Sequence, residues 1–309
     1  MKERYKDNMD KVLVLMSVYN GEKYIEEQLK SIVGQKNVEV HLLIRDDGSM
    51  DRTAEIIGKY LNKDISFYKG ENCGAAKSFL KLMKKAYVEY PDFEFIALAD
   101  QDDIWLECKL EQALKLMKQR DAALYCGSLD AYTNGNLEEH ILIRCFQNTL
   151  YETMLRNSVA GCTMVIRSSA LATICEYEPV FLEMHDSWIV RVCTYTGQKV
   201  IYDPNSYMRY RLHGNNTCGA AITVRNKLRV HFNNVFRRNP DRVSNTAHEL
   251  LKGYRNRIEE DACNYLEILD KSITVNNRKI KLLKLCNRIG FSTISRRIDF
   301  IVEVILGKI

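Results

Sequence analysis

Short apolar runs alternate with helical patterns between residues 12 and 126, and this alternation constrains the fold more than any other feature of the chain. The runs are rich in β-branched residues, which is typical of strands buried on both faces. Between them, apolar residues recur at helical spacing, as at Ile25, Leu29 and Ile32. Such alternation predicts βαβ units and a mostly parallel central sheet with helices on both faces. The predicted strands are Val12–Val18, Val38–Ile44, Ile65–Tyr68, Phe93–Ala99 and Ala122–Cys126.

Polar residues follow three of these predicted strands at the point where each strand ends. Tyr19 and Asn20 follow the first strand, Asp46 and Asp47 follow the second, and the segment Asp100–Asp103 follows the fourth. Ligands of open α/β sheets bind outside the carboxyl ends of the strands. One acidic strand end would be an ordinary turn, but three polar ends at one edge of the sheet predict a binding site.

The segment Asp100–Asp103 places three carboxylates within four residues. Carboxylates this close repel one another and raise each other's pKa unless a cation lies between them. Oxygen ligands select a hard divalent ion, so the segment predicts Mg²⁺ or Mn²⁺, which would neutralise the charge of a departing diphosphate. The alternative is an acidic N-cap for the helix that follows, although capping needs one Asp rather than three.

Several segments, in order along residues 11–219, resemble glycosyltransferase family 2. These segments are LVLMSVYNGEKYIEEQLKSIVGQ, IRDDGSMDRT, ENCGAAKSF and ALADQDDIW. Two later segments, MHDSW and YRLHGNNTCG, resemble the rhamnosyltransferase-like bacterial branch of that family. The resemblance implies a GT-A nucleotide-diphospho-sugar transferase fold. It also implies an inverting, metal-dependent transfer of rhamnose or a hexose from a nucleoside diphosphate.

The resemblance also assigns residues to the donor nucleotide and its metal ion. Tyr19 would stack on the pyrimidine, and Asp47 would accept a hydrogen bond from the base. Asp100 would support the metal ion and the donor sugar, and Asp102 matches the metal ligand of the family's DxD motif. Without the family context, Tyr19 would be an aromatic side chain packed at the end of a strand. The donor-binding residues implied in this way are Tyr19, Asn20, Asp46, Asp47, Asn72, Gly74 and Asp100.

The segment Met184–Trp188 lies where the family carries its general base. A general base that removes the acceptor's hydroxyl proton contributes roughly 10²–10⁴ in rate, and the resemblance implies Asp186 for this role. His185 and Trp188 would line the acceptor, and Gly161–Met164 resembles the turn at the acceptor cleft. The alternatives are a His-Asp pair on the surface and a tryptophan packed in the core.

A cluster of cationic side chains follows further along the chain. Arg209, Arg211 and His213 alternate with other residues, so they share one face if the segment is extended. Two guanidinium groups and an imidazole suit a pyrophosphate, which predicts donor binding for Arg211 and a place in the metal shell for His213. The alternative is a polar face of an ordinary strand.

Cysteine usage and the N-terminal residues point to the cytoplasm. The ten cysteines are scattered singly, without a CxxC pair or the spacing of a zinc site. The first residues are charged, and the apolar run that follows them is too short for a membrane span and lacks a cleavage site. We therefore expect unpaired thiols in a reducing cytosol.

Positive charge is concentrated in the last ninety residues. Residues 1–219 carry 27 Lys and Arg against 31 Asp and Glu, whereas residues 220–309 carry 18 against 9. The change predicts a GT-A catalytic domain over 1–219 and a basic helical C-terminal extension over 220–309, with helix-length runs from Thr246 to Asp270 and near the end. Apolar residues at helical spacing from Ile294 to Ile309, with cationic flanks, are typical of helices at an anionic membrane surface. The alternative is that these faces pack on the catalytic domain or on a second copy; no nucleic acid is expected as a partner.

These features predict a transferase in the cytoplasm, at the inner face of the cell membrane. Its donor would be dTDP-rhamnose or a UDP-hexose, and its acceptor a polysaccharide or lipid-linked oligosaccharide. A sugar-phosphate nucleotidylyltransferase would share the sheet, but it should carry a Gly-rich basic loop after the first strand, which Val18–Lys23 does not supply. A non-catalytic scaffold of this fold should have lost Asp102 or Asp186, and both are present.

Overall fold

The computed structural model describes residues 9–133, 141–144, 149–157, 159–212, 241–286, 289–291, 293–307 and 309. Its strands are β1 (Asp10–Val18), β2 (Val38–Asp46), β3 (Ile65–Lys69), β4 (Phe95–Ala99), β5 (Ile104–Trp105), β6 (Leu124–Thr133), β7 (Ile141–Ile143), β8 (Val165–Arg167) and β9 (Val200–Leu212). Within these ranges all nine strands form one sheet, in the order β3-β2-β1-β4-β8-β6-β9-β5, with β7 beside β6.

Parallel pairing in the first half of the sheet aligns the carboxyl ends of its strands. β1 pairs with β2 so that Val18 lies beside Asp46, and with β4 so that Met16 lies beside Ala99. In the second half, β8 is antiparallel to both of its neighbours, whereas β6 and β9 are parallel. The α/β fold class is confirmed, and the sheet is mixed. Because the first-half strands are parallel, the loops after β1, β2 and β4 meet at one edge.

Helices cover both faces of the sheet, as the sequence predicts. They are α1 (Ile25–Val33), α2 (Thr53–Gly58), α3 (Ala75–Glu89), α4 (Lys109–Arg120), α5 (Leu150–Leu155), α6 (Ser168–Cys175), α7 (His185–Tyr195), α8 (Arg242–Tyr254), α9 (Glu260–Leu269), α10 (Arg278–Leu285) and α11 (Ile294–Ile305). Alternate residues of β1 serve the two faces: Leu13 and Leu15 pack with α3, α6 and α7, whereas Val12 and Val14 pack with α1, α2 and α4.

The C-terminal helices extend one of these two cores. Leu250, Leu266 and Phe300, from α8, α9 and α11, pack in the same buried cluster as Phe79 and Trp188. The described C-terminal helices are therefore continuous in packing with the sheet domain, while the predicted boundary near residue 219 lies outside the described residues. Every helix in the described part of the chain falls short of the length and apolar character that a transmembrane span needs.

The helix-length run predicted from Thr246 to Asp270 is interrupted. A 3-10 turn at Arg255–Arg257 separates α8 from α9, and the chain is extended at Ile258 and Glu259. The break has a local cause, because acidic residues at the first turn of α9 favour a new helix N-terminus at this point.

Candidate active site

One side-chain amide fastens the loop after β1 to the loop after β4. Gln101 accepts a hydrogen bond from the Tyr19 N–H at 2.8 Å and donates one to the Tyr19 carbonyl at 3.0 Å. A Cβ atom on Gly21 would lie 2.5 Å from the Gln101 Oε1 atom, so a larger residue here would push the amide end of Gln101 aside. Tyr19 itself is 44% exposed at this edge of the sheet. Its ring is therefore accessible to a planar ligand.

The loop after β1 also bonds to the loop after β2. Asn20 donates its backbone N–H to Ser49 Oγ at 2.9 Å and accepts the Met50 N–H on its side-chain oxygen at 2.9 Å. It does so at a φ of 48°, a conformation that Asn tolerates. Asp46 is fully buried; one of its oxygens accepts the Ser49 N–H at 2.8 Å, and the other accepts no hydrogen bond from the described residues. Asn20 and Asp46 thus shape the turn.

Asp47 organises the loop that precedes α3. Its carboxylate accepts the backbone N–H groups of Cys73 at 3.0 Å and Gly74 at 2.8 Å, and it pairs with the Arg45 guanidinium. Burial by itself would raise the pKa of Asp47, but the hydrogen bonds from Arg45 and Cys73 outweigh it and hold the pKa below its usual value. The predicted donor residue Gly74 is therefore held by Asp47, and Asn72 lies exposed on the same loop.

The acidic segment after β4 forms a tight, poorly compensated cluster. Ligand atoms of Asp100, Asp103 and Cys162 lie within 4.8 Å of one another. Burial, and next the charge of Asp102, raise the pKa of Asp100 to about 7. Burial, followed by the charges of Asp100 and Asp102, raises the pKa of Asp103 well above its usual value, and neither Asp103 oxygen accepts a hydrogen bond of ordinary length from the described residues. Oxygen atoms in this state suit a hard cation.

Two buried cations lie against this cluster. Arg211 donates from Nε to the Asp102 carbonyl at 3.0 Å and pairs with Glu27. Its guanidinium also lies over the ring of Tyr24, 4.7 Å from the ring centre. Lys109 places its Nζ atom 3.4 Å from the centre of the Trp105 ring, and burial lowers the pKa of Lys109 to about 7.

These contacts change the interpretation of Arg211. The side chain is 4% exposed and supports the acidic loop from beneath, so the structure does not present it as a group free to bind phosphate. The extended segment predicted around it is present as β9, in which Arg209 is exposed. The predicted metal ligand His213 lies outside the described residues.

Asp186, the predicted base, lies at the start of α7 and is 6% exposed. Burial raises its pKa to about 6, against the opposing effect of hydrogen bonds from the Ser187 N–H and the Asn157 side chain. The charge of Asp186 also contributes to raising the pKa of Asp100. The base candidate and the acidic cluster therefore share one electrostatic environment, although they come from distant parts of the sequence.

The two predicted acceptor residues lie in the core. His185 stacks on Phe79 with 4.0 Å between ring centres, and a Cβ atom on Gly161 would lie 2.4 Å from its Nε2 atom. Burial lowers the pKa of His185 to about 3, so the ring is neutral. Trp188 is 2% exposed and packs near Tyr254 of α8. Both side chains are therefore packed in the core, which agrees with the alternative given for Trp188, and their place at an acceptor surface stays a prediction.

A network of charged groups lies behind Asp186. Glu183 accepts a hydrogen bond from Arg242 at 3.0 Å and lies 3.6 Å from Arg191. The same two arginines donate to the final carbonyls of α5: Arg242 to Leu155 at 2.8 Å, and Arg191 to Thr153 at 3.2 Å. The network joins the segment before the base, the C-terminal end of α5 and the first residue of α8.

Sequence reasoning missed the residues that hold the site together. Gln101 stands inside the acidic segment, so its position at a predicted strand end could have suggested a structural role. Lys109, Arg191 and Arg242 give no such signal, because each is one cation in a helix of ordinary composition, with no motif around it. Their roles depend on burial and on partners far along the chain.

The chain is similar to known proteins. The family model described as Glycosyl transferase family 2 matches residues 13–174, more than half of the chain. The dTDP-rhamnosyl transferase RfbG of Shigella flexneri is 28% identical over 263 residues, which is 77% of this chain and 89% of that protein. The UDP-Glc:alpha-D-GlcNAc-diphosphoundecaprenol beta-1,3-glucosyltransferase WfgD of Escherichia coli is 26% identical over 179 residues, covering 58% of this chain and 68% of the relative.

Solved structures share the fold. S. aureus TarS 1-349 in complex with UDP-GlcNAc superposes with a TM-score of 0.58 at 16% identity, covering 97% of this chain and 82% of that one. Its complex with UDP gives a TM-score of 0.56 at 18% identity, covering 96% and 80%. Because the family model spans more than half of the chain and these relatives are named glycosyltransferases, the chain is an enzyme of that class and belongs to glycosyl transferase family 2.

Proposed function

We propose that this chain is an inverting, metal-dependent glycosyltransferase that moves rhamnose or a hexose from a nucleoside diphosphate to a saccharide acceptor. One observation carries the proposal: in a chain of glycosyl transferase family 2, the loop after β4 brings carboxylates of Asp100 and Asp103 within 4.8 Å of one another, and Asp186 is a buried carboxylate in the first turn of α7. A base and a group of metal-binding carboxylates at one edge of the sheet are what attack by a hydroxyl on a nucleotide sugar requires. The named donors of the relatives, dTDP-rhamnose and a UDP-sugar, are the donors we propose here.

Asp186 would take the proton of the acceptor hydroxyl as its oxygen attacks the anomeric carbon, and the bond from that carbon to the diphosphate would break. Its pKa of about 6 leaves the carboxyl ionised at neutral pH, yet closer to neutrality than an ordinary Asp, which suits a general base. The Ser187 N–H and the Asn157 side chain hold the carboxylate in place. Tyr19 and the loop held by Asp47 would bind the nucleotide base.

The acidic cluster fits a divalent metal ion. The fit is chemical: both oxygens of Asp103 lack ordinary hydrogen-bond donors among the described residues, and the pKa of Asp100 is raised by burial and by Asp102. Asp102, with Asp100 beside it, would hold Mg²⁺ or Mn²⁺, and we keep His213 as a proposed further ligand. The ion would stabilise the charge of the leaving diphosphate.

We also propose the class of acceptor and its location. WfgD is named for a lipid-linked acceptor, a sugar on diphosphoundecaprenol. A growing polysaccharide or a lipid-linked oligosaccharide is therefore the proposed acceptor, and the inner face of the cell membrane is the proposed place of reaction.

The test separates the base from the metal site. Asp186→Asn should abolish sugar transfer while leaving Mn²⁺-dependent binding of UDP or dTDP unchanged, measured by calorimetry. Asp102→Asn should abolish transfer and also weaken metal-dependent nucleotide binding. Asp121→Asn is the matched control, because that side chain is 93% exposed and Asn tolerates its φ of 45°. Transfer at the wild-type rate by either of the first two variants would refute the role assigned to that residue.

A further inference from the structure

Helix α11 is apolar on two opposite sides. Phe300 and Val304 point inward and are buried in the core cluster. The opposite side carries large apolar residues that solvent reaches, among them Ile294, 80% exposed, and Ile305, 60% exposed. A helix that is apolar all round is normally covered all round. The full set of exposed apolar residues on this side is Ile294, Ile298, Val302, Ile305 and Leu306.

Helix α10 continues this surface. The Lys279 Nζ atom donates to the Ile305 carbonyl at 3.3 Å, which joins the start of α10 to the end of α11. Leu282 points into the core, while Ile280 and Leu283 on the same helix are exposed. We call the seven exposed apolar residues of α10 and α11 the outer face. They are seven of the sixteen exposed large apolar side chains in the described part of the chain.

The charge around the outer face is positive. Residues 278–309 include eight Lys and Arg and only two acidic residues, Asp299 and Glu303. Both acids are buried toward the protein, and Asp299 accepts a hydrogen bond from Arg156 at 2.6 Å. Lys281 and Lys284 are exposed on α10 beside Ile280 and Leu283. Apolar residues interleaved with exposed lysines are the composition of an interfacial surface for anionic lipid.

We propose that the outer face of α10 and α11 docks on the anionic surface of a lipid bilayer. Charge complementarity selects this occupant over a second copy of the chain. A twofold contact through this face would bring Lys281 and Lys284 of one copy near the same lysines of the other, which costs electrostatic free energy. A leaflet that carries negative headgroups attracts the lysines and takes up the apolar side chains.

Docking through this face would also position the candidate active site relative to the membrane, an inference that rests on the proposed function. On its inner side, α11 donates from Arg296 to the buried Glu152 of α5 at 2.6 Å. Helix α5 leads directly to Asn157, whose side chain bonds to Asp186. The lipid-bound helix therefore supports the segment that orients the base, so a docked enzyme has its base held relative to the membrane that carries the acceptor.

Vesicle flotation of the full chain tests the proposal. Vesicles of phosphatidylcholine with about one third phosphatidylglycerol are compared with phosphatidylcholine alone, at low and high salt. Wild-type protein should float with the anionic vesicles, and high salt should weaken the binding. The double variant Ile298→Glu/Ile305→Glu should bind the anionic vesicles at least about tenfold more weakly than the wild type, because each new carboxylate would have to enter the boundary between headgroups and acyl chains. The matched control, Val88→Glu with Val180→Glu, changes two exposed apolar residues on other surfaces and should float like the wild type.

Three results would overturn the proposal. They are wild-type protein that stays in solution, an outer-face variant that floats as well as the wild type, and a wild-type dimer that the outer-face variant turns into a monomer without any change in flotation. Thermal unfolding confirms that each variant is folded, since all four positions are exposed. Mn²⁺-dependent UDP binding is measured on the same samples. Lost flotation with intact nucleotide binding separates a failure of docking from a failure of the proposed activity.

Discussion

Replacing Arg242 by methionine should destabilise the fold and slow sugar transfer. The methionine keeps most of the apolar stem but removes the hydrogen bonds to the Leu155 carbonyl and to Glu183. Leaving a buried carbonyl without a donor costs about 1–3 kcal/mol, and losing a charge-assisted bond adds about as much again. Because the Glu183 side chain is 35% exposed and can be rehydrated, we discount the second contribution and expect a loss of about 2–4 kcal/mol.

Thermal unfolding and kinetics measure this loss. For a chain of this size, such a change should lower Tm by about 3–6 °C. The matched control is Arg255→Met at the C-terminal end of α8, whose arginine pairs with Glu267 at the surface and contributes little. In Arg242→Met, kcat should also fall while Mn²⁺-dependent nucleotide binding is retained, because Glu183 leads directly to Asp186. Equal Tm values for Arg242→Met and Arg255→Met would refute the reasoning, as would a loss of nucleotide binding equal to the loss of kcat.

Three further predictions concern the site. Transfer should decline as pH falls through about 6, because the base must be ionised and burial raises the pKa of Asp186 to about 6; a rate that is flat from pH 8 to about 5 would contradict this. Because this carboxyl has a higher pKa in the fold than the ordinary Asp value of 3.8, its contribution to stability is present at low pH and is lost as pH rises toward 6. Asp186→Asn should therefore be more stable than the wild type at pH 8, by at most about 3 kcal/mol at roughly 1.4 kcal/mol per pKa unit, and calorimetry should show the difference vanishing as pH falls below 3.8. Gly21→Ala should weaken UDP binding by about tenfold, because its Cβ would displace the Gln101 amide from Tyr19, whereas Gly58→Ala, with open space around its Cβ, should bind UDP like the wild type.

The strands and their polar ends could be predicted because their signals are local. The run Val12–Val18 corresponds to β1, and Val38–Ile44 lies within β2, since a strand buried on both faces is apolar along its whole length. Parallel pairing then brings Tyr19, Asp47 and Asp100 to one edge, which follows from topology rather than from side-chain detail. Thus the position of the site followed from the order of the elements.

The roles of individual side chains beneath this edge of the sheet could not be predicted, because they depend on elements far along the chain. The short segment around Asp186 carries no sign that α7 is buried almost all round, and it is α8 and its neighbours that cover Trp188. Likewise Arg211 looks like a free cation in the sequence, but Glu27 and the Asp102 carbonyl occupy its guanidinium. Both side chains are buried in the fold, and burial is a property of the assembled chain.

The core shared by α3, α7, α8 and α11 limits how relatives of this enzyme can be recombined. A chimaera could join the first 219 residues of one relative to the C-terminal helices of another. The surface of its sheet domain and the surface of those helices would then not be complementary. The poor packing between the two surfaces would be centred on Trp188, two residues after Asp186. Grafts that transfer α7 together with α8–α11 as one block should retain activity far more often, so this block is the natural unit of exchange when a new acceptor is sought.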